Sequence, residues 1–493
     1  MTDKRKVSVL LTTLLTSFIP FAVYPNEDIS DKIWQKMQYN QKENQKKNKA
    51  DLKIPDIISK NRGTSSAVNH GQILKIESSP KGIGQALYLA INDQQWRDIR
   101  NLVVIYQELP EHNPLLVDFA QGSLARLEGN LALSASYYEK ILRQQPNSTR
   151  IKLELSRVYF EDHKNREAEQ ILDGLSQQHQ LPAMVLKNID NYLKTITTRT
   201  GWHGSLSLSY GYDDNINMSS EQEPTCTFTI KGKCIIVREI PKAIKEWGNT
   251  YSATLSRRYQ IAGHHGIFGR GLIHGKNYRH YHNENENTLQ LISGYHYKSR
   301  NHDISFGPLF EYKLRAGSTE YHAVGAKIEW QWAITAQTNL NVELRHKRLT
   351  YQQLYHWKNG TLSSSYFGMS HAINDKFILF GGSSWVYRDN SQPAARYQQW
   401  GVNAGIAGQL YSGINGSLFI SLKKQHFAAY NALLGAKRRE SEQIYTASIK
   451  FPATKIMGMT PSLTFIHRCN HSNVSWLYSY DKNEVRIQVE KYF

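Results

Sequence analysis

Few residues are equipped for chemistry, and they are scattered. Asp213-Asp214-Asn215 closes the stretch WHGSLSLSYGYDD and offers a carboxylate pair or a calcium ligand set. Asp and Asn side chains also bond their own backbone and stop strands, and turn chemistry is the reading adopted for all three. The run NYRHYHNENE places His280 and His282 beside Glu284 and Glu286, a set able to touch a metal or haem. With no further ligands at metal-binding spacing, it reads as a solvated loop. Cys226 and Cys234 bracket CTFTIKGKC, where Gly232 lets the chain turn back. In an oxidising compartment that pair is expected to close a small-loop disulfide. A zinc site there lacks partner ligands, and Cys469 is left over. No nucleophile elbow, phosphate loop or zincin motif occurs, so catalysis has no basis in the sequence and no cofactor is expected.

The elements that must carry these residues follow from pattern. Lys4, Arg5 and Lys6 precede an uncharged run over 7–21 that is short for a membrane helix and is interrupted by Pro20, the layout of a signal peptide over 1–25. Residues 26–79, typified by QKENQKKNKADLK, have few apolar anchors and read as a polar linker. From 80 to 199 Leu, Ala, Tyr and Glu recur at helical spacing, with breaks at Gly129-Asn130 and Pro146-Asn147. A 34-residue period is visible there. Gly122, Ala125, Ser134, Tyr138 and Ile141 align with Ser156, Tyr159, Ala168, Leu172 and Leu175. This resembles the tetratricopeptide repeat family, whose unit ends near a Pro, a place Pro146 takes. A weaker earlier unit can be set at Leu87, Tyr88, Ile91 and Val104, with Arg100 where a small residue is expected. An unrelated helical bundle is the alternative. Stacked hairpins of either kind present a concave surface for polypeptides.

From 200 to 493 the period changes to two, and fourteen strand segments can be marked. The last, NEVRIQVEKYF, alternates Val485, Ile487 and Val489 with Arg486, Gln488 and Glu490. A closing strand of this kind is protected when a barrel pairs it with the first strand. Connections after odd segments include the long ones, such as 213–247 and 428–439, and those after even segments are mostly short. That alternation puts both barrel ends in the periplasm. Eight of the ten Trp and 21 of the 29 Tyr follow residue 200, as interfacial girdles require. Pro308 falls inside the fifth segment and predicts a bulge or a shifted boundary. The fold expected is α+β multidomain: α-helical repeats, then a 14-stranded antiparallel transmembrane β-barrel in the outer membrane. A pair of soluble β domains is the alternative.

Charge adds a further expectation. Residues 201–493 hold 33 Lys and Arg against 20 Asp and Glu, +13 of the total +18. Arg258, Arg270, Arg345, Lys347, Lys423, Arg468 and Arg486 fall on the wet parity and form a candidate basic lumen for anionic surfaces or solutes. Contact of rim cations with lipopolysaccharide phosphates is the competing reading. Nucleic acid is not an expected partner.

The order of signal peptide, short repeat domain and barrel opening on YGYDDNIN and ending in an aromatic resembles the Slam family, the surface lipoprotein assembly modulators of Gram-negative bacteria. The resemblance spans nearly the whole mature chain and rests on architecture more than on any one motif. It implies a translocator that moves client surface lipoproteins, or secreted haem- or iron-binding proteins, across the outer membrane. It implies as partners the client, a periplasmic chaperone, the barrel assembly machinery and outer-membrane lipid, with a monomeric chain. Ile487, Val489 and Phe493 share one parity and resemble the barrel insertion signal, which the chain departs from at Lys491, where an aromatic is usual. An exopolysaccharide export porin with repeats and a passive nutrient porin are the alternatives.

Overall fold

The computed structural model describes residues 79–178, 181–223, 225–230, 233–238, 240–432 and 434–493. The expected signal peptide and all of the linker but Ser79 lie outside the described residues. The chain divides into a helical unit and a barrel unit.

The helical unit contains α1 (Pro80–Asn92), α2 (Trp96–Gln107), α3 (Pro114–Glu128), α4 (Leu131–Gln144), α5 (Thr149–Glu161), α6 (Asn165–Ser176) and α7 (Ala183–Thr200). Its helix ends are written locally. The Ser79 hydroxyl accepts from the Gly82 amide ahead of Pro80, and the Asn113 side chain caps α3 ahead of Pro114. Gly129 ends α3 at φ 85°, the left-handed region glycine tolerates best.

The 34-residue period becomes packing between α3 and α4 and between α5 and α6. A Cβ at Gly122 would stand 2.6 Å from the Tyr138 ring, so only glycine lets the two helices close. Ser134 Oγ donates to the Gly122 carbonyl at 2.7 Å. The Tyr138 hydroxyl is 3.1 Å from Ser123 Oγ, and burial pushes the phenol far above its usual range. One period on, Ser156, Ala168 and Leu172 are fully buried. The earlier unit departs from this register. Leu87 and Ile91 are buried, but Tyr88 and Val104 face outward, and Arg100 is exposed against Glu128 at 3.2 Å. For α2 the cause is a one-residue slip: α2 starts 35 residues before α4 (131 − 96), whereas α4 starts 34 before α6 (165 − 131). Ile99, Val103 and Tyr106 therefore take the inner face, and Tyr106 covers Gly84, where a Cβ would meet its hydroxyl at 2.9 Å.

The barrel unit closes fourteen antiparallel strands in the order β1-β16-β15-β14-β13-β12-β11-β10-β9-β8-β7-β6-β5-β4. They are β1 (His203–Asp213), β4 (Glu246–Ala262), β5 (His265–Tyr278), β6 (Glu286–Lys298), β7 (His302–Arg315), β8 (Ser318–Ala333), β9 (Thr338–Tyr351), β10 (Gly360–Ala372), β11 (Phe377–Arg388), β12 (Tyr397–Tyr411), β13 (Ile414–Phe427), β14 (Arg439–Lys450), β15 (Thr460–Ser472) and β16 (Tyr480–Tyr492). Each matches a segment expected from period-two alternation. A separate hairpin of β2 (Thr225–Ile230) and β3 (Lys233–Arg238) stands within the first long connection and was not foreseen as paired strands.

Burial alternates as a lipid-facing wall demands. Leu208, Tyr210, Leu291, Phe310, Val324 and Ile328 are exposed on the outside, while Gln290, Glu311, Lys327, Glu329 and Arg345 are buried on the inside. Aromatic clusters mark both membrane boundaries. At the short-turn end Trp330 and Trp332 stack at 5.9 Å, with His302 against them. At the other end Trp247 stacks on Tyr210 at 5.2 Å and Trp385 meets Trp400 at 6.1 Å. Short connections at 263–264, 299–301, 334–337, 373–376 and 412–413 occupy one end, as do the start of β1 and the end of β16.

Pro308 is neither bulged nor at a boundary. β7 runs through it with Pro308 paired to Ala326 of β8. The cost appears on its other edge, where the β6–β7 register holds up to Ile292↔Leu309, lapses at Gly307 and Pro308, and resumes at Tyr295↔Phe306. Proline has no amide hydrogen to give that ladder.

Candidate functional site in the barrel interior and closing seam

All seven basic residues assigned to the wet parity point into the barrel, and each is met by a carboxylate. Arg258 reaches Asp303 at 3.0 Å, Arg270 reaches Glu329 at 2.8 Å, Arg345 reaches Glu343 at 2.7 Å and Lys347 reaches Glu311 at 2.7 Å. Lys423 and Arg468 share Glu442 at 3.0 and 2.6 Å, and Arg486 pairs with Glu484. Lys327, fully buried, bridges Glu329 and Glu343 at 3.0 and 2.7 Å and joins three strands' charges into one lattice. Charges this buried are tolerable only when paired. The lining is thus an ion-pair lattice in which carboxylates offset the excess of cations.

The seam between β1 and β16 is the place where the chain closes on itself. Its register runs from Ser205↔Tyr492 to Asp213↔Glu484. At the short-turn end Gly204 and Phe493 exchange backbone hydrogen bonds of 2.8 and 3.1 Å, and the Phe493 ring covers Gly204 so closely that a Cβ there would meet it at 2.4 Å. Ile487 and Phe493 are exposed on the outer face, with Val489 half-buried on the same parity.

The other end of the seam is clamped by Asp213-Asp214-Asn215. One Asp213 oxygen accepts from the Asn215 amide at 3.1 Å, which is the turn chemistry expected. Its second oxygen does more, holding Lys276 and Lys482 at 2.7 Å each and accepting from the Tyr278 hydroxyl at 3.1 Å. Asp214 accepts from the Asn483 amide at 2.7 Å and side chain at 2.9 Å, and the Asn215 side chain donates to the Asp481 carbonyl at 2.9 Å. A turn at the end of the first strand is thereby tied to the start of the last. Lys276, Lys482 and Glu484 were missed in the sequence because their partners are up to 269 positions away (482 − 213). The signal available was parity: Lys482 and Glu484 share the inward face with Arg486.

Near the long-connection end a cavity of about 610 Å³ opens among Tyr351, Arg388, Lys423, Phe427, Arg438 and Tyr478. Arg438 stacks between Phe427 and Tyr478 at 3.6 and 4.1 Å. His280 engages Glu246 at 2.8 Å, and among the described residues no candidate metal cluster includes His280 or His282. In the outer hairpin the backbone register sets Cys226 opposite Val237 and Cys234 opposite Thr229.

A closed barrel preceded by helical repeats has a counterpart among known proteins. The model of the surface lipoprotein assembly modifier matches residues 202–493, and the model of its N-terminal TPR repeats matches 71–172. The chain belongs to the surface lipoprotein assembly modifier family. It is 34% identical over 438 residues to the hemophilin secretion modulator of Acinetobacter baumannii, covering 86% of this chain and 88% of that protein. It is 22% identical to surface lipoprotein assembly modifier 1 of Neisseria meningitidis serogroup B, covering 86% of each. Family and fold together place the barrel in the outer membrane and the repeat unit in the periplasm.

Proposed function

We propose that the chain is an outer-membrane translocator that carries client proteins from the periplasm to the cell surface or medium. The observation that carries this reading is the joining, in one family member, of a polypeptide-binding type of helical stack to a sealed barrel. The clients are surface lipoproteins or secreted haem- or iron-binding proteins. Similarity to a protein named hemophilin secretion modulator favours a secreted client of the hemophilin kind. No bond is made or broken in such a task. A family of secretion and assembly modifiers is in keeping with transport in place of catalysis.

The repeat unit receives the client, or a periplasmic chaperone bearing it, and the barrel passes it outward by parting β1 from β16. Asp213-Asp214-Asn215 and the Gly204–Phe493 pair are the latches at the two ends. Cysteines placed at the register partners Leu208 and Val489 test this. Oxidising the Leu208→Cys/Val489→Cys pair should stop client delivery, and reductant should restore it. Delivery undiminished in the crosslinked chain would reject the seam.

The candidate basic lumen retains a part in this scheme, since parted seam strands would uncover Arg486 and its neighbours to acidic stretches of a client. The Cys226–Cys234 disulfide is proposed as an alternative to the β2–β3 pairing, whose register sets the two cysteines three positions apart (237 − 234), and mass spectrometry of the unreduced chain tests it. Ile487, Val489 and Phe493 are proposed as the surface read by the barrel assembly machinery. The translocator is proposed to act as a monomer in outer-membrane lipid.

A further inference from the structure

On the outer face of the last hairpin, close to its long-connection end, His467, Cys469 and Asp481 converge. One ring nitrogen, the sulfur and a carboxylate oxygen lie within 4.8 Å of one another, and theirs is the group of this kind found among the described residues. Cys469 and Asp481 are direct register partners across β15 and β16, and His467 is two positions along on the same face as Cys469. Outward parity is fixed by Arg468 and Asn470, buried on the opposite face. We propose that these three side chains form a zinc site.

The ligand chemistry fits. Thiolate and imidazole together select a borderline-soft ion, and three protein ligands with a fourth position open to water is a common zinc arrangement. Zinc bonds of about 2.0–2.3 Å set tetrahedral ligands roughly 3.5 Å apart, so modest side-chain rotation closes the group.

A second, independent feature prepares the histidine. The Asn483 side chain donates through Nδ2 to Asp214 at 2.9 Å, which leaves its Oδ1 as the atom 2.9 Å from His467 Nδ1. In the neutral ring Nδ1 then carries the hydrogen and donates, and Nε2 keeps the lone pair that would take the metal, the ring being held by the kind of outer partner that metal-binding histidines have. Tyr445 stacks on the ring at 6.0 Å and further fixes its plane. On binding, the Cys469 thiol gives its proton to water and the thiolate takes the ion. Zinc here would pin β15 to β16 beside the closing seam.

The test uses the full chain in detergent, stripped with chelator and titrated with cobalt(II), which reports thiolate ligation by a charge-transfer absorption. One cobalt per chain with that absorption, displaced by zinc, is expected. Cys469→Ser should abolish the absorption, and Cys226→Ser/Cys234→Ser should leave it. Asn483→Ala should keep it but weaken binding by about 10–100-fold. Heat-modifiable gel mobility shows that each variant is folded, and Asp481→Asn, weakened likewise, serves if Cys469→Ser is not. No absorption in folded wild type, an absorption that follows the hairpin cysteines, or equal binding by Cys469→Ser would overturn the site.

Discussion

At the scale of single residues, two kinds of position are least replaceable. Asp213 is the anion beneath Lys276 and Lys482, and Glu484, which shares Lys276 with it, also holds Arg486. Removing one partner from a buried cluster typically costs about 3–5 kcal/mol. Asp213→Asn should therefore lower the temperature at which the unboiled band converts to the unfolded mobility, while the isosteric side chain keeps the turn bond to Asn215. Glycines supply the second kind. In a helix interior Gly→Ala ordinarily gains about 0.5–1 kcal/mol. At Gly174, where nothing stands within 4 Å of an added Cβ, that gain should appear as a higher helical melting temperature. At Gly122 the Tyr138 ring stands in the way, and overpacking of about 1–3 kcal/mol should make Gly122→Ala less stable. Circular dichroism at a helical wavelength through a thermal ramp distinguishes the signs.

At the scale of elements, the strands were readable because each of the fourteen alternates apolar and polar residues against lipid and lumen. Helical packing was readable where two units obey one period, and it slipped at α2, which a one-residue offset rotates so that Val103 is buried and Val104 exposed. The first long connection hid the β2–β3 ribbon because its strands are short, six residues each. Pro308 showed the converse, since a proline within a strand disturbs the neighbour it cannot donate to and spares the other. Pro308→Ala should restore a donor to the β6 edge and raise the barrel's gel-shift temperature slightly. A fall instead would mean that Pro308 contributes more by stiffening β7 than it costs in pairing.

At the scale of the whole molecule, the two units are expected to separate in function. Deleting 80–196 should leave a heat-modifiable barrel in outer-membrane fractions and abolish client display on intact cells, read by antibody. Undiminished display would take the receiving role from the repeats. Restoration of display by supplying the repeats in trans would place that role in binding alone. Steady conductance in planar bilayers would point to a pore, whereas a closed baseline agrees with a seam that parts only for cargo.

The sequence alone determined the quantities that periodicity and local chemistry carry: the change from a helical period to a period of two near residue 200, the fourteen strands, and the family likeness. Inward parity of Arg345 or Arg468 was readable for the same reason, because alternation is a local property of extended chain. Which carboxylate each cation meets was not. Pairings such as Lys276 with Asp213, or His467 with Asn483 and Cys469 with Asp481, depend on the register between strands and on closure of the first strand against the last. Register is fixed by turns, packing and circumference together, so only the closed tertiary structure decides it.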